Sequence, residues 1–297
     1  MSRKPTPKIL LMGGSGQIGS HFLKILKNKY QIISPSHRDL DVTDKKSVES
    51  LITKLMPDQI VYSIGFTSID QAPSRVYEAF QLNEFGVYNT TGIASIKKIP
   101  LHYLSTEVVF NGSKKNSPYT ENDRPDPQSL NAHLKRTGEL ITLDASAANS
   151  VIRLIICYSA SFKNKTDIAR SLVKNLSEGK TFNATTDQEI NPIYVTHLVK
   201  AISIILDNQA GGIYHIGAKD YTTPFNFCQM IAKKLKLDHK LVKGLSFKQF
   251  SQARPEPRPQ HEWLDVNKFL KDFGQESLFT IEEGIEEFAK DYLKSIS

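Results

Sequence analysis

The sequence is poor in cysteine and in long hydrophobic runs. Its 297 residues include two cysteines, Cys157 and Cys228, in apolar surroundings and without the spacing of metal ligands. This pattern argues against a disulfide framework and favours buried free thiols in a reducing compartment. No apolar stretch approaches the roughly 20 residues that a membrane-spanning helix requires. We therefore expect a cytoplasmic, globular protein with no membrane partner and no metal in its site.

The basic excess of the sequence is moderate and dispersed. Lysine and arginine number 38 against 31 acidic residues, a formal net charge of +7. No segment gathers the lysines with interleaved aromatic side chains, as binding to single-stranded nucleic acid requires. The distribution predicts a solvated surface that attracts phosphate-bearing small molecules, with no nucleic-acid partner.

Strand and helix patterns alternate through the first half of the chain. Hydrophobic residues make up 39% of the sequence, which is enough for a large core. The alternation predicts an α/β fold, a doubly wound parallel sheet with helices on both faces. Strands are expected at residues 8–12, 30–34, 58–63, 101–105 and 150–157, and helices after the first strand and at 45–55, 76–96 and 127–147.

A glycine-rich turn, GGSGQIG at residues 13–19, stands between the first predicted strand and the first helix. Gly13 permits a tight turn, Gly16 lets the backbone approach a pyrophosphate, and Gly19 lets the helix pack closely on the sheet. The helix start, with Gln17 and Ile18, offers free N–H groups to phosphates. In this strand–turn–helix context the motif predicts a Rossmann domain that binds a dinucleotide.

The segment after the second strand distinguishes the two nicotinamide dinucleotides. It reads SPSHRDLDVTD, with His37 and Arg38 where an acidic residue would hold the ribose of NAD(H). An arginine suits a 2′-phosphate and favours NADP(H). Asp39 leaves NAD(H) open, because a small shift of the strand end would bring it to the ribose. Asp41 and Val42 are expected beside the adenine.

The regular alternation of strand and helix patterns ends after Ser159. Helices are expected at 168–178, 196–206 and 225–237, a strand at 212–216, and an irregular proline-rich segment at 253–259. We predict a dinucleotide-binding domain at 1–158 and a smaller substrate-binding α/β lobe at 159–297. Segments of about 187–216 are expected to return to the first domain.

From Lys8 to about Gly274, the order and spacing of several segments resemble the extended short-chain dehydrogenase/reductase superfamily. Within it, the sequence is most similar to the dTDP-4-dehydrorhamnose reductase family. The segments are GGSGQIG, RDLDVTD, the block that ends at Asn83, LSTEVVFNG, SPYTEND, KRTGE, DQEINPIYVTHLVKAI and RPQHEWLD.

The resemblance implies hydride transfer from a nicotinamide to the C4 keto group of a nucleotide-linked deoxysugar, as in surface-polysaccharide biosynthesis. Thr106 would hydrogen-bond the substrate carbonyl, although a threonine that caps a turn is an alternative. Lys135 would hold the nicotinamide ribose. By the same resemblance, Ser63 and Gly65 border the coenzyme, Asn83 supports the backbone, Asn191 and Arg258 bind substrate, and Asp187, Gln188 and Pro192 border its pocket. A satisfied buried asparagine is the alternative for Asn83, and a surface arginine beside a polyproline-like turn is the alternative for Arg258.

The family's Tyr-x-x-x-Lys pair is incomplete in this chain. Asn131 stands four residues before Lys135, where the family has its proton-donating tyrosine. Residues four apart share one helix face. An amide can donate a hydrogen bond to an oxyanion but cannot give up a proton at physiological pH. Loss of a positioned acid typically costs about 10²–10⁴-fold in rate.

Other groups are candidates for the missing donor. His133 points away from Asn131 on the same helix, Tyr119 is expected to keep a structural place, and Tyr158 can face the crevice after its strand. A water relayed through Thr106 is a further alternative. The single tryptophan, Trp263, is expected to pack in the core rather than to stack on a base.

Two functions therefore stay open. One is an NADP(H)-dependent reductase of a nucleotide-linked sugar with an altered proton donor. The other is a catalytically silent, dinucleotide-binding protein, as in the beta subunit of methionine adenosyltransferase, a member of the same family. A homodimer or a partner protein is compatible with the second.

Overall fold

The computed structural model describes residues 6–162 and 164–296. The strands are β1 Lys8–Met12, β2 Gln31–Ile33, β3 Gln59–Tyr62, β4 Leu101–Thr106, β5 Ser150–Leu154, β6 Cys157–Tyr158, β7 Phe182–Thr185, β8 Ile193–Tyr194, β9 Gly212–Ile216 and β10 Val242–Leu245. The helices are α1 Gln17–Leu26, α2 Lys45–Leu55, α3 Val76–Phe80, α4 Gly86–Ile96, α5 Leu130–Ala145, α6 Ile168–Ser177, α7 Val195–Asp207, α8 Pro224–Lys234, α9 Phe247–Gln252, α10 Asn267–Phe273 and α11 Ile281–Ile296.

The central sheet has the strand order β2-β1-β3-β4-β5-β9. Strand β1 pairs in parallel with β2 on one side and with β3 on the other, and β3 pairs in parallel with β4. The winding direction of the chain therefore reverses between β1 and β3. In such sheets the crevice at the carboxyl ends of these two strands is where ligands bind. The predicted α/β Rossmann-type fold is confirmed.

Continuous buried runs explain why the inner strands form. In β1 the residues Ile9–Met12 are at most 1% exposed, and all of β3 is buried, as expected for strands covered on both faces. Helix α2 begins at an N-cap, Asp44, whose carboxylate accepts from the Lys46 amide, and α5 begins after Ser129, whose hydroxyl accepts from the Ala132 amide.

Three predicted elements differ from the structure. The helix expected at 76–96 contains a π-helical turn at Gln81–Phe85, which joins α3 to α4. The helix expected from residue 127 begins only at Leu130, after its Ser129 cap. The single strand expected at 150–157 is two strands, because β5 lies in the central sheet whereas β6 pairs with β8 in a separate two-stranded sheet.

The chain divides into two compact units. Unit 1 comprises Met1–Val109, Ser129–Arg153 and Ile202–Tyr214, and unit 2 comprises Phe110–Gln128, Leu154–Ala201 and His215–Ser297. The sequence pattern places a division at residue 158 and a return of about 187–216 to the first domain. In the structure, Ile202–Tyr214 belongs to unit 1, whereas Phe110–Gln128 belongs to unit 2. Unit 2 has an apolar core that includes Tyr158, Phe227 and Phe288. No helix in the described ranges is long and apolar enough to cross a bilayer.

Both cysteines are free thiols, as the sequence pattern predicts. Cys228 is fully buried in the unit 2 core, whereas Cys157 is only partly buried. The expectation that both are buried is therefore confirmed for Cys228 and wrong for Cys157, whose short strand packs against the edge of that core.

Candidate active site

The glycine turn after β1 leaves no room for side chains. Gly13 has a φ of +99°, and a Cβ on it would lie 2.9 Å from the carbonyl carbon of Ser63 at the end of β3. A Cβ on Gly19 would lie 2.2 Å from the carbonyl oxygen of Gly13. The Gly16 amide donates to the same oxygen at 3.1 Å. The turn thus requires glycine, and it lies at the crevice between β1 and β3.

Helix α1 begins at this turn without a side chain over its first amides. Gly16 is the N-cap, so the amides of Gln17, Ile18 and Gly19 have neither a capping side chain nor an acidic neighbour in the first turn. The positive end of the helix dipole, at a first turn without a side-chain cap or an acidic residue, favours an anion at this position. The first turn of α1 therefore fits a phosphate group.

A cavity of about 310 Å³ opens beside the turn. It extends from the glycines after β1 to the segment after β2, so one cavity joins the two sequence signals for a dinucleotide. Its lining residues are Met12, Gly13, Gly14, Ser15, Leu23, Ser34, Pro35, Ser36, His37, Leu40 and Ile64.

The segment after β2 holds the residues predicted to select the coenzyme. Arg38 and Asp39 are exposed, and the cavity is lined by His37 rather than by either of them. The Asp39 carboxylate accepts from the amide and hydroxyl of Ser36, at 3.2 and 2.6 Å, which holds its pKa below the usual range. The Asp39 carboxylate is therefore engaged, whereas the Arg38 side chain extends from an exposed turn.

The two residues predicted beside the adenine differ in environment. Asp41 is exposed, and its carboxylate accepts from the amide and hydroxyl of Thr43, which lowers its pKa. Val42 is 4% exposed and belongs to the core of unit 1, while its carbonyl accepts from Asn89 at 3.0 Å. The Val42 side chain is thus part of the core, and its carbonyl already has a partner.

Asn131 contacts the backbone of Phe66. Its amide nitrogen donates to the Phe66 carbonyl oxygen at 2.5 Å, and the residue is 3% exposed. Asn83 holds the same peptide from the other side, because it accepts from the Phe66 amide at 2.8 Å and donates to the Phe66 carbonyl at 3.0 Å. The expectation that Asn83 supports the backbone is confirmed. The residue in the tyrosine position has a structural contact of the same kind.

Lys135 lies one helical turn from Asn131 and is also buried. Its ammonium donates to the Leu104 carbonyl of β4 at 2.8 Å and lies 4.6 Å from the centroid of the Tyr103 ring. A Cβ on Gly65 would lie 3.3 Å from the same nitrogen. Burial lowers the pKa of Lys135 to about 8, while the nearby Glu139 carboxylate opposes that shift. Lys135 and Gly65, both predicted to border the coenzyme, are therefore adjacent.

Thr106, at the end of β4, is hydrogen-bonded to a buried carboxyl. Its Oγ1 lies 2.6 Å from Oε2 of Glu107, and its side chain is partly exposed whereas Glu107 is 8% exposed. Burial raises the pKa of Glu107 to about 7, although the Thr106 hydroxyl opposes the shift. Glu107 is not among the residues predicted from the sequence. The available signal was a carboxylate between a predicted site threonine and the apolar run VVF.

A second buried carboxylate, Glu139 on α5, has hydrogen-bond donors for both of its oxygens. Arg153 donates to both of its oxygens at 2.8 Å, and Arg136 and Ser105 donate at 2.8 and 2.6 Å. Each of the two carboxylate oxygens therefore accepts from two donors. Two carboxyl groups of unit 1 are thus buried in opposite environments, Glu139 among cations and Glu107 beside a neutral hydroxyl.

The other candidates for the missing proton donor have structural positions. His133 is exposed on α5. Tyr119 donates to Asn111 at 2.9 Å and stacks on Phe110, as its expected structural place requires. Tyr158 is 0% exposed inside the unit 2 core. The alternative in which Tyr158 faces a crevice is therefore wrong, because its ring packs among aromatic side chains.

Within unit 2, the predicted substrate residues contact backbone. The Asn191 amide donates to the carbonyls of Ala218 and Leu264 at 3.0 Å each and accepts from the Leu264 amide at 3.1 Å. These contacts give Asn191 a structural role, and its contact with substrate stays a prediction. Arg258 donates to the Glu256 and Pro257 carbonyls of its own loop.

The environment of Trp263 differs from the sequence-based expectation. Trp263 is partly exposed and stacks on Tyr221 at 3.9 Å, with the two rings 18° apart. The expected core packing of Trp263 is therefore wrong.

The loop that borders the predicted pocket is held by its own contacts. Gln188 accepts from the Thr185 hydroxyl at 2.8 Å, and the Asp187 carboxylate accepts from the Phe247 amide at 2.6 Å.

Across residues 6–162 and 164–296, no group of three or more His, Cys, Asp or Glu side chains is arranged to hold a metal ion.

Comparisons with known proteins agree with this architecture. The spore coat polysaccharide biosynthesis protein SpsK of Bacillus subtilis is 27% identical over 251 residues, 84% of this chain and 87% of that protein. A dTDP-4-dehydrorhamnose reductase of Aggregatibacter actinomycetemcomitans is 25% identical over 280 residues, 90% and 93% of the two chains. The crystal structure of dTDP-4-dehydrorhamnose reductase from Bacillus anthracis in complex with NADP shares the fold, with a TM-score of 0.88, 23% identity and coverage of 95% and 98%.

The family model described as the RmlD substrate binding domain matches residues 7–294, nearly the whole chain. The family assignment made from the sequence segments is thereby confirmed. The chain belongs to the RmlD substrate binding domain family, which its relatives named dTDP-4-dehydrorhamnose reductase represent.

Proposed function

We propose that the protein is an NADP(H)-dependent reductase of a nucleotide-linked 4-keto-6-deoxysugar that serves polysaccharide biosynthesis. The observation that carries the proposal is the side-chain-free turn at residues 13–19, which opens on the cavity beside β1 and β2. Lys135 and Thr106, in the same unit, are held at the carboxyl end of β4. The names of the relatives support the substrate class, because several of them are reductases of dTDP-linked keto sugars.

Different residues of unit 1 bind the coenzyme and orient the substrate in such a reaction. The amides at the start of α1 bind the diphosphate, and Lys135 holds the ribose next to the nicotinamide. The Thr106 hydroxyl orients the substrate carbonyl. When bound, the coenzyme supplies the hydride that reduces C4 of the sugar. Asn83 and Asn131 fix the Phe66 peptide and thereby the loop after β3.

NADP(H) is the preferred coenzyme in this proposal. Arg38 is exposed beside the cavity and suits a 2′-phosphate, whereas the carboxylate of Asp39 is already engaged by Ser36. The relative from Bacillus anthracis was crystallised with NADP, which supports the same choice.

The test is NADPH consumption with a dTDP-4-keto-6-deoxysugar, compared between the natural chain and Asn131→Tyr. Turnover by the natural chain, with loss of the reduced-nicotinamide absorbance, is the expected result. The second candidate, a silent dinucleotide-binding protein, is favoured by Asn131 itself, because its amide is engaged with Phe66 and cannot supply a proton. An inert natural chain beside an active tyrosine variant would overturn the reductase proposal and support the silent one.

A further inference from the structure

Glu107 and Thr106 form a pair that connects a buried carboxyl to a partly exposed hydroxyl. Glu107 Oε2 and Thr106 Oγ1 are 2.6 Å apart, a distance that fits a strong hydrogen bond. Thr106 ends β4 and Glu107 begins the short 3-10 turn that follows it. The pair thus spans from the interior of unit 1 to the strand end where the substrate carbonyl is expected.

The surroundings of Glu107 favour a proton on its carboxyl. On α5, which packs against this turn, the two buried titratable groups have other partners: Lys135 donates to Leu104, and Glu139 is bonded to Arg136 and Arg153. In the described ranges, no salt bridge reaches Glu107. A buried carboxyl without a cation is more stable in its neutral form, and burial indeed raises its pKa to about 7.

Protonation reverses the direction of the hydrogen bond within the pair. An ionised Glu107 accepts the Thr106 hydrogen, whereas a protonated Glu107 donates to Thr106 Oγ1. In the second case the Thr106 hydrogen is released and can point to an acceptor outside the pair. The partly exposed threonine then becomes a hydrogen-bond donor to a bound carbonyl.

We propose that Glu107, acting through the Thr106 hydroxyl, supplies the proton that the tyrosine at position 131 supplies in other members of the family. This inference rests on the proposed function. In the reduction, C4 of the keto sugar accepts hydride and the carbonyl π bond breaks. The carbonyl oxygen takes the Thr106 proton, and Thr106 takes the Glu107 proton. Glu107 is left as a carboxylate, which solvent reprotonates.

The first test uses the chain without coenzyme or substrate. Infrared spectra of the natural chain and of Glu107→Gln are compared across pH, with Glu49→Gln as the same change on an exposed position of α2. At pH ~6 an ordinary glutamate is ionised. We expect a protonated-carboxyl band at that pH that disappears as the pH rises through about 7 and is missing only from Glu107→Gln. A spectrum in which Glu107→Gln removes no such band overturns the proposal.

The second test measures kcat/KM against pH. The natural chain is expected to lose activity above about pH 7, when Glu107 ionises. Glu107→Gln is expected to be slower by about 10²–10⁴-fold, without that limb of the profile, and Glu107→Asp to recover part of both. The affinity of Glu107→Gln for NADPH, measured by calorimetry, should equal that of the natural chain, because the substitution is expected to lower kcat and not coenzyme binding.

The outcomes separate the two proposals. If the natural chain turns over and Glu107→Gln keeps its rate and pH profile, only the role of Glu107 is overturned. If the natural chain binds NADPH but reduces no sugar, the proposed function fails and this role fails with it.

Discussion

The amide of Asn131 and the carbonyl oxygen of Phe66 are joined by a hydrogen bond of 2.5 Å, across 65 residues of sequence. The residue that stands in the tyrosine position is therefore part of the support for the loop after β3. Asn83 contacts the same peptide through both its amide and its carbonyl. Position 131, where the family has its proton-donating tyrosine, thus supports the backbone in this chain. A proton for the substrate has to come from a group other than Asn131.

The two asparagines are expected to differ in their effect on stability. Asn131→Ala should lower the free energy of unfolding by about 1 kcal/mol, since the Phe66 carbonyl keeps its bond from Asn83. Asn83→Ala leaves the buried Phe66 amide without its acceptor and should cost about 2–4 kcal/mol. Urea unfolding of both variants measures the difference. Equal losses for the two variants would contradict the shared contact with Phe66.

Gly19→Ala is expected to abolish tight coenzyme binding. The new Cβ would lie 2.2 Å from the Gly13 carbonyl oxygen, so the turn must open. We expect at least a roughly tenfold rise in the Kd for NADPH, or about 1.4 kcal/mol. Gly92→Ala is the matched control, because Gly92 is exposed on α4 with nothing within 4 Å of its Cβ. That variant should bind NADPH normally and gain about 0.5–1 kcal/mol of stability.

Coenzyme choice is expected to depend on Arg38 and not on Asp39. Arg38→Ala should weaken NADPH binding by about 1.5–3 kcal/mol while leaving NADH binding unchanged, because only NADPH carries a 2′-phosphate. Asp39→Asn should not weaken NADH, because the Asp39 carboxylate is engaged by Ser36. Calorimetric titration with both coenzymes measures the four affinities. A selective loss of NADH affinity in Asp39→Asn would point instead to an NAD(H) protein.

Glu107 is expected to make stability depend on pH. Its pKa is raised from 4.5 to about 7 in the native state, so the native chain holds a proton that the unfolded chain releases between these values. Stability contributed by the protonated form is therefore lost as the pH rises through this window, by at most about 3 kcal/mol. Glu107→Gln should be insensitive to that change and should gain on the natural chain between about pH 5 and pH 8.

Denaturant unfolding of the natural chain and of Glu107→Gln at about pH 5 and pH 8 measures this difference in stability. Glu49→Gln reports the effect of the same substitution on an exposed helix. A constant difference between Glu107→Gln and the natural chain across this range would mean that Glu107 is ionised throughout.

Local sequence signals predicted much of the fold. The turn at residues 13–19 and the helix Lys45–Leu55 follow from glycine spacing and from apolar periodicity, which act within one or two turns of chain. The break after β5 could not be predicted in this way. It depends on β6 pairing with β8, which lies more than thirty residues further along the chain.

The site was predictable only in part, because its chemistry depends on distant neighbours. The positions of Gly13 and Lys135 follow from motifs, but the bond from Asn131 to Phe66 does not. The protonation of Glu107 depends on burial, and burial is a property of the folded unit. Trp263 shows the same limit, since its stacking partner Tyr221 is forty-two residues away.

The transfer of deuterium from C4-deuterated NADPH to a dTDP-4-keto-6-deoxysugar tests the account most directly. Mass spectrometry of the sugar nucleotide after incubation with the natural chain reads the result. We predict a reduced sugar that carries one deuterium, with the label on C4. Unchanged keto sugar in the presence of bound, unoxidised coenzyme would contradict the assignment of this chain as a reductase.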